Sequence, residues 1–355
     1  EAGLEDVVHT YAQQHGFQFK NGAAFHKKGK NTAFNFTKKF TDGPGTTYQV
    51  KRAAFDKILA DESQAKGVDI RYGHQVNNVA TLKPYVMLEV EDEKQQAYQV
   101  TGKFLFDASG FGRVLPRLLN LELASDFPVR HSFFGHFEDG IDCSDFDRDK
   151  ILITVNPYHS DVWYWLIPFS DGTASIGVVG SPERFDSTLS EEETLKDFIH
   201  QDPNLARLLK KAKPIQVVRT IKGYSADVTQ LYGDNFALLG NAGEFLDPVF
   251  SSGVTIAMKS AVLAVPLVVK HLQGQRVDWK KDYAEPLKFG VDTFRTFVEA
   301  WYDERFQDVV YSDHHDDKVR YMISSVLAGY AWDKKNPYVD KSERRMAVLA
   351  EVCKA

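Results

Sequence analysis

Leu238-Leu239-Gly240-Asn241-Ala242-Gly243-Glu244-Phe245-Leu246-Asp247-Pro248 runs into Ser251-Ser252-Gly253 and an apolar stretch that reaches Leu272. An apolar strand, a turn of small residues and a helix over about 252–272 follow one another. Glycines at such a turn let the backbone approach a ligand closely, and the helix beyond presents unpaired N–H donors at the positive end of its dipole. The corner suits an anion or an electron-rich ring. Taken alone, the same glycines would also serve ordinary strand–helix packing, so the rest of the chain decides.

The 355 residues carry a formal net charge of -6, with 43% hydrophobic and 26% charged residues, which predicts a packed globular core and disfavours nucleic acid as a partner. Cys143 and Cys353 stand far apart without a CxxC pair, so neither a disulfide framework nor a zinc ribbon is expected, and a cytoplasmic setting fits. The longest uninterrupted apolar run, Ala261 to Val269, stops at Lys270, short of the roughly 20 residues a spanning helix needs, so no membrane segment is expected. Residues 1–15 read as an amphipathic helix rather than a secretory leader, and the chain is expected to start within a domain.

Phenylalanines at 17, 19, 25, 34 and 36 predict a hairpin or small sheet, followed by a strand at 46–50 and a helix at 51–65. Strands are predicted at 68–71, 75–79, 85–91 and 97–106, the last entering Asp107-Ala108-Ser109-Gly110. The segment 129–180 reads as an antiparallel sheet. Helices are expected at 191–200, 204–211, 283–308 and 318–330, with a short strand at 236–239.

Four further groups of residues carry chemistry. Trp163 and Trp165 in Trp163-Tyr164-Trp165-Leu166-Ile167-Pro168 alternate along a strand and so share one face. In Pro248-Val249-Phe250-Ser251-Ser252-Gly253, a serine hydroxyl and backbone N–H groups at a helix start would bind an anion. Lys20 sits between Phe19 and Phe25, an apolar setting that lowers an amine pKa. Arg52 opens a helix after Gln49-Val50-Lys51, and Gly110 closes the Asp107-Ala108-Ser109 turn. His314-His315-Asp316-Asp317 makes a poor metal site, because adjacent helical side chains diverge by about 100°.

Together these segments resemble the flavin-dependent halogenases of the FAD monooxygenase superfamily, the tryptophan halogenase-like proteins. Gly240-Asn241-Ala242-Gly243 resembles the second flavin fingerprint, with Asn241 where the family has Asp; Trp163 to Pro168 matches WxWxIP, and Phe245 to Gly253 matches FxxPxxSxG. Lys20 aligns with the family's active-site lysine. The resemblance implies FAD bound by Arg52, Gly110, Gly240, Asn241, Pro248 and Gly253, halide at Ser252 and Gly253, and a barrier of Trp163 and Trp165 between flavin and substrate. Phe250 stands where the tryptophan-acting branch has glutamate, which points to a phenol-, pyrrole- or carrier-tethered aromatic substrate.

The implied chemistry is oxidation of halide by reduced FAD and oxygen, with hypohalous acid passing to Lys20, either hydrogen-bonded to its ammonium or as a haloamine. No nicotinamide fingerprint is visible, so a separate flavin reductase is the expected partner, with no membrane or nucleic acid involved. The implied fold class is α/β (α+β): a Rossmann-like FAD domain lacking its first βαβ unit and its GxGxxG, an antiparallel β-sheet substrate domain and a helical C-terminal region. The expected division is 1–125 and 226–275 for the FAD domain, 126–225 for the substrate domain and 276–355 for the helical region. Two other readings share the fingerprint: an FAD monooxygenase or oxidoreductase without halogenation, and an inactive flavin-binding fragment.

Overall fold

A computed structural model describes residues 3–313 and 316–354. The chain forms two compact units. One is built from Leu59–Phe127 and Tyr224–Asp292; the other from Leu4–Ile58, Pro128–Gly223 and the residues from Thr293 onward.

The second unit is organised by an eight-stranded sheet in the order Lys213–Pro214, His131–Glu138, Thr173–Gly180, Trp163–Pro168, Lys150–Val155, Gly22–Lys27, Lys30–Asn35, with Arg219–Lys222 also paired to His131–Glu138. All neighbours are antiparallel except Lys150–Val155 beside Gly22–Lys27. Alternation sends Tyr164, Leu166, Ile176, Val178, Phe133 and Phe137 to one face, where they form a core with Leu195 and Phe198 of helix Glu191–Gln201 and Leu205 and Leu208 of helix Pro203–Leu208. The first of those helices starts at a reciprocal Ser190–Glu193 capping box, the second at Asp202, whose carboxylate accepts from the Leu205 N–H. The opposite face carries Trp163, Trp165, Ile153 and Phe25, and Phe25 meets Trp301 at 5.8 Å between ring centroids.

In the first unit, an antiparallel sheet of Gln75–Leu82, Tyr85–Glu91 and Ala97–Gly102 adjoins a parallel pair, Leu105–Asp107 with Phe236–Leu238. Leu115, Leu121, Val228, Phe236 and Leu238 make its core. The structure bears out the mixed α/β class and the helical C-terminal region.

Local expectations change in four places. Residues 68–71 form no strand, because no neighbouring strand reaches them and Val68 is 54% exposed. The stretch 97–106 divides after Gly102, its halves joining different sheets. Residues 16–40 do not stay a local hairpin: Gly22–Lys27 and Lys30–Asn35 extend the large sheet, and Gln18–Lys20 pairs with Thr47–Gln49. The helix expected at 283–308 breaks at Glu304, which adopts φ 69° between Glu285–Tyr302 and Arg305–Tyr311.

Helix Ser252–Leu272 runs unbroken through Lys259 and Pro266 for 21 residues, long and apolar enough by length and composition to cross a membrane. The expectation of no such segment counted only the uninterrupted run from Ala261. His314 and His315 of the weighed metal cluster lie outside the described residues.

Candidate flavin, halide and lysine sites

In the first unit, the fingerprint turn is anchored at both ends. Strand Phe236–Leu238 lies parallel to Leu105–Asp107, and the Leu239 N–H donates to the Asp107 carbonyl at 2.8 Å, so the turns at Gly110 and Gly240 emerge side by side. The Asp107 carboxylate receives the N–H groups of Ser109 and Leu115, both at 2.8 Å. Gly240 adopts φ +52°, and a Cβ there would lie 2.9 Å from the Ala257 Cβ on helix Ser252–Leu272. Only glycine meets both conditions. Its N–H donates to Ser260 Oγ at 3.0 Å, and that hydroxyl donates to the Ala257 carbonyl at 2.7 Å.

Several residues of this anchor carried no motif. Arg113, in the left-handed region and almost fully buried, donates to the Asn241 carbonyl at 3.4 Å, the Asp227 carbonyl at 2.7 Å and Glu122 at 3.1 Å. The Tyr283 hydroxyl donates to the Leu238 carbonyl. Lys288 pairs with buried Glu244 at 3.3 Å. A serine inside an apolar helix, as at 260, was the one sequence signal available for any of them.

Past the turn, Pro248–Phe250 forms a 3-10 turn and Ser251 adopts φ 54° before the long helix begins. No side chain caps that helix. The Asp247 carboxylate takes the Val249 N–H at 2.9 Å and the Tyr224 hydroxyl at 3.1 Å. Ser252 is 3% exposed, and its hydroxyl has no hydrogen-bond partner among the described residues. Asn241 Oδ1 lies 3.8 Å from where a Cβ on Gly253 would sit, and the Asn241 amide also lacks a partner among the described residues. Gly110 adopts φ +60°, and nothing stands within 4 Å of its Cβ position. Helix-start donors, a neutral amide and open space beside glycine suit a flavin, and a hydroxyl beside N–H groups at a helix start suits a halide.

In the second unit, Lys20 ends strand Gln18–Lys20, opposite Thr47. Its ammonium lies 5.9 Å from the centre of the Phe36 ring and has no hydrogen-bond or ion-pair partner among the described residues. Although the residue as a whole is only partly buried, burial of the amine end lowers its pKa to about 8. The residue that follows is tightly held: the Asn21 N–H donates to the Asp149 carbonyl, its carbonyl accepts from Phe36, and its side chain accepts from Lys150 at 2.9 Å.

Trp163 and Trp165 lie on one face with ring centroids 5.9 Å apart. The Trp163 indole donates to the Tyr302 hydroxyl at 2.9 Å, and the Trp165 indole to Ser175 at 3.1 Å. The Trp165 ring lies flat over Gly177, where a Cβ would come within 2.3 Å of it. Arg52 forks onto Asp56 one helical turn along, at 3.0 and 3.1 Å, and is exposed. The sequence-predicted residues thus form two groups: Gly110, Gly240, Asn241, Pro248, Ser252 and Gly253 in one unit, and Lys20, Arg52, Trp163 and Trp165 in the other.

The tryptophan halogenase family model matches residues 9–327. The chain belongs to the tryptophan halogenase family. A solved flavoprotein/dehydrogenase from Cytophaga hutchinsonii is 39% identical with a TM-score of 0.94, over 99% of this chain and 85% of that one. A 1H-pyrrole-2-carbonyl-[peptidyl-carrier protein] chlorinase of Pseudomonas fluorescens is 26% identical, covering 85% of this chain and 69% of the relative. The corresponding brominase of Pseudoalteromonas luteoviolacea is 27% identical over 67% of this chain and 58% of its own length. The chain spans between about half and two thirds of the length of such curated relatives. A solved flavin-dependent brominase, 22% identical with a TM-score of 0.81, shares the fold. As a tryptophan halogenase family member the chain carries the family's mixed α/β fold, and a solved halogenase of that fold holds FAD.

Proposed function

We propose that this protein, with reduced FAD, oxygen and halide, halogenates an electron-rich aromatic compound, and that a separate flavin reductase supplies the reduced cofactor in the cytoplasm. The observation that carries the reading is Lys20, an unpaired and desolvated amine at the position matching the family's active-site lysine. In this reading the Gly110 and Gly240 turns, Asn241, Pro248 and Gly253 hold the flavin. Bound and reduced, FAD supplies the oxygen activation that oxidises halide.

The protein's own part is positioning and water exclusion. Ser252 and the N–H groups at the helix start hold halide, and the Trp163–Trp165 pair offers the aromatic substrate an indole wall. With a pKa of about 8, Lys20 is mostly protonated at pH 7. It donates a hydrogen bond to the oxygen of hypohalous acid and polarises the oxygen–halogen bond. The ring carbon takes the halogen, the departing hydroxide takes the ring proton, and water leaves. Phe250 and the relatives that act on carrier-bound pyrrole favour a phenol or pyrrole, free or carrier-tethered.

The test is incubation with FAD, a flavin reductase, oxygen and chloride or bromide against a panel of phenols, pyrroles and indoles, with mass spectra read for halogen isotope patterns. Halogenated product that disappears in Lys20→Ala is expected. The similarity to the Cytophaga hutchinsonii flavoprotein/dehydrogenase favours the second reading, an FAD oxidoreductase without halogenation. Substrate turnover independent of halide would select it.

A further inference from the structure

We propose that the sheet edge from Lys210 to Lys222 docks an acidic protein that carries the aromatic substrate on a tether. What the partner carries rests on the halogenation reading; the surface itself rests on charge and exposure. In a chain of net charge -6, the thirteen residues Lys210-Lys211-Ala212-Lys213-Pro214-Ile215-Gln216-Val217-Val218-Arg219-Thr220-Ile221-Lys222 hold five cations and no carboxylate. The side chains of Lys210, Lys213, Arg219 and Lys222 have no ion-pair or hydrogen-bond partner among the described residues. The nearby acids are few: Asp142 pairs with Lys211 and also feels Lys210, and Glu138 stands opposite Lys213 in register. Lys222 faces His131 across the ladder with no carboxylate between them.

Cationic side chains also guard edge strands against pairing with other chains. Protection alone calls for charge, yet this edge also exposes apolar side chains: Val217 is 81% exposed, Val129 57%, Ile215 46% and Ile221 38%. Unpaired cations interleaved with exposed aliphatic groups match an acidic, amphipathic protein face, with charge steering the encounter and apolar contact retaining it.

Register supplies the link to chemistry. Arg219 pairs with Phe134, Phe134 with Gly177, and Gly177 with Trp165, so these residues form one row on one face of the sheet. Phe134 and Trp165 touch, ring centroids 5.8 Å apart. Three strand spacings separate Arg219 from Trp165, about 14 Å. A substrate on a flexible arm of that length spans the distance from the docked edge to the tryptophan wall.

The experiment uses the full chain, a pyrrole-loaded acidic peptidyl-carrier protein, and the charge-reversed variant K213E/R219E/K222E, with thermal midpoints confirming its fold. Carrier affinity is read by fluorescence anisotropy without turnover, and KM and kcat by product mass spectrometry. We expect the variant to lose at least about tenfold in carrier affinity and to raise KM for the carrier-bound pyrrole equally, while kcat and turnover of a free pyrrole stay within about twofold. Wild-type affinity should also fall steeply with salt. If the variant unfolds, the single changes Lys222→Gln and Val217→Ser, each weakening binding alone, serve in its place. Unchanged affinity, equal loss on the free substrate, or binding to anionic vesicles in place of the carrier would overturn the proposal. Failure of the halogenation reading looks different: no halogenated product from wild type, with charge-dependent carrier binding intact.

Discussion

Lys20 combines two properties that rarely coincide in a lysine: no polar partner among the described residues, and an amine held near pH 8 by burial. The cost of that burial is borne by the fold. The unfolded lysine titrates at about 10.5 and the folded one at about 8, so between these values the native state binds fewer protons. Stability therefore rises with pH across that window, and at neutral pH the full penalty is present. Lys20→Met should stabilise the protein by about 1–3 kcal/mol at pH 7 and flatten this rise, while halogenated product disappears. Urea unfolding at pH 7, 8.5 and 10 measures the first effect; an unaltered pH profile in the variant would place the amine in solvent. Lys20 was readable as a candidate through its resemblance to the family's active-site lysine, but its lack of a counter-ion was not, because partners come from distant segments.

Among elements, strand Trp163–Pro168 depends on a position that no motif marked. Gly177 lies beneath the Trp165 indole, so Gly177→Ala must push the ring aside. A loss of about 1–3 kcal/mol and a shifted tryptophan emission maximum are expected, with Gly172→Ala in the adjoining turn as a contrast: there the added carbon meets no atom within 4 Å, so the φ of +78° costs stability while emission stays unshifted. Emission identical to wild type in Gly177→Ala would refute this packing.

A second pairing joins elements distant in sequence. His26 on strand Gly22–Lys27 and Asp202 at the start of helix Pro203–Leu208 are almost fully buried, 3.6 Å apart. The Gly29 N–H donates to His26 Nε2, and Thr154 lies beside the ring in register. Burial lowers the His26 pKa, with the Asp202 charge acting in the opposite direction. A histidine held below its ordinary value must take up a proton on unfolding, so stability is complete above about pH 6.5 and falls as pH drops below it. His26→Gln should blunt that acid loss in thermal melts at pH 7 and pH 5; an equal loss in both proteins would assign it to other groups.

For the whole molecule, flavin loading is the decisive property. Titration with FAD should quench flavin fluorescence and raise the melting temperature, with stabilisation near 2.7 kcal/mol at a hundredfold excess over Kd. Arg113→Ala, which releases the half-buried Asn241 and Asp227 carbonyls, should weaken loading about tenfold or more. Undiminished FAD affinity in that variant would show that the turn needs no such anchor.

Local order along the chain was set by the residues themselves. The alternation from 129 to 180 and the helix Ser252–Leu272 follow from side-chain periodicity, and Gly240 from a backbone conformation open chiefly to glycine. Tertiary structure alone decided which elements became neighbours: the division of 97–106 between two sheets, the parallel pairing of Lys150–Val155 with Gly22–Lys27, and the row joining Arg219 to Trp165. Periodicity tells a strand which face to bury, but its partner is chosen by packing among residues far apart in the chain, and no local pattern encodes that choice.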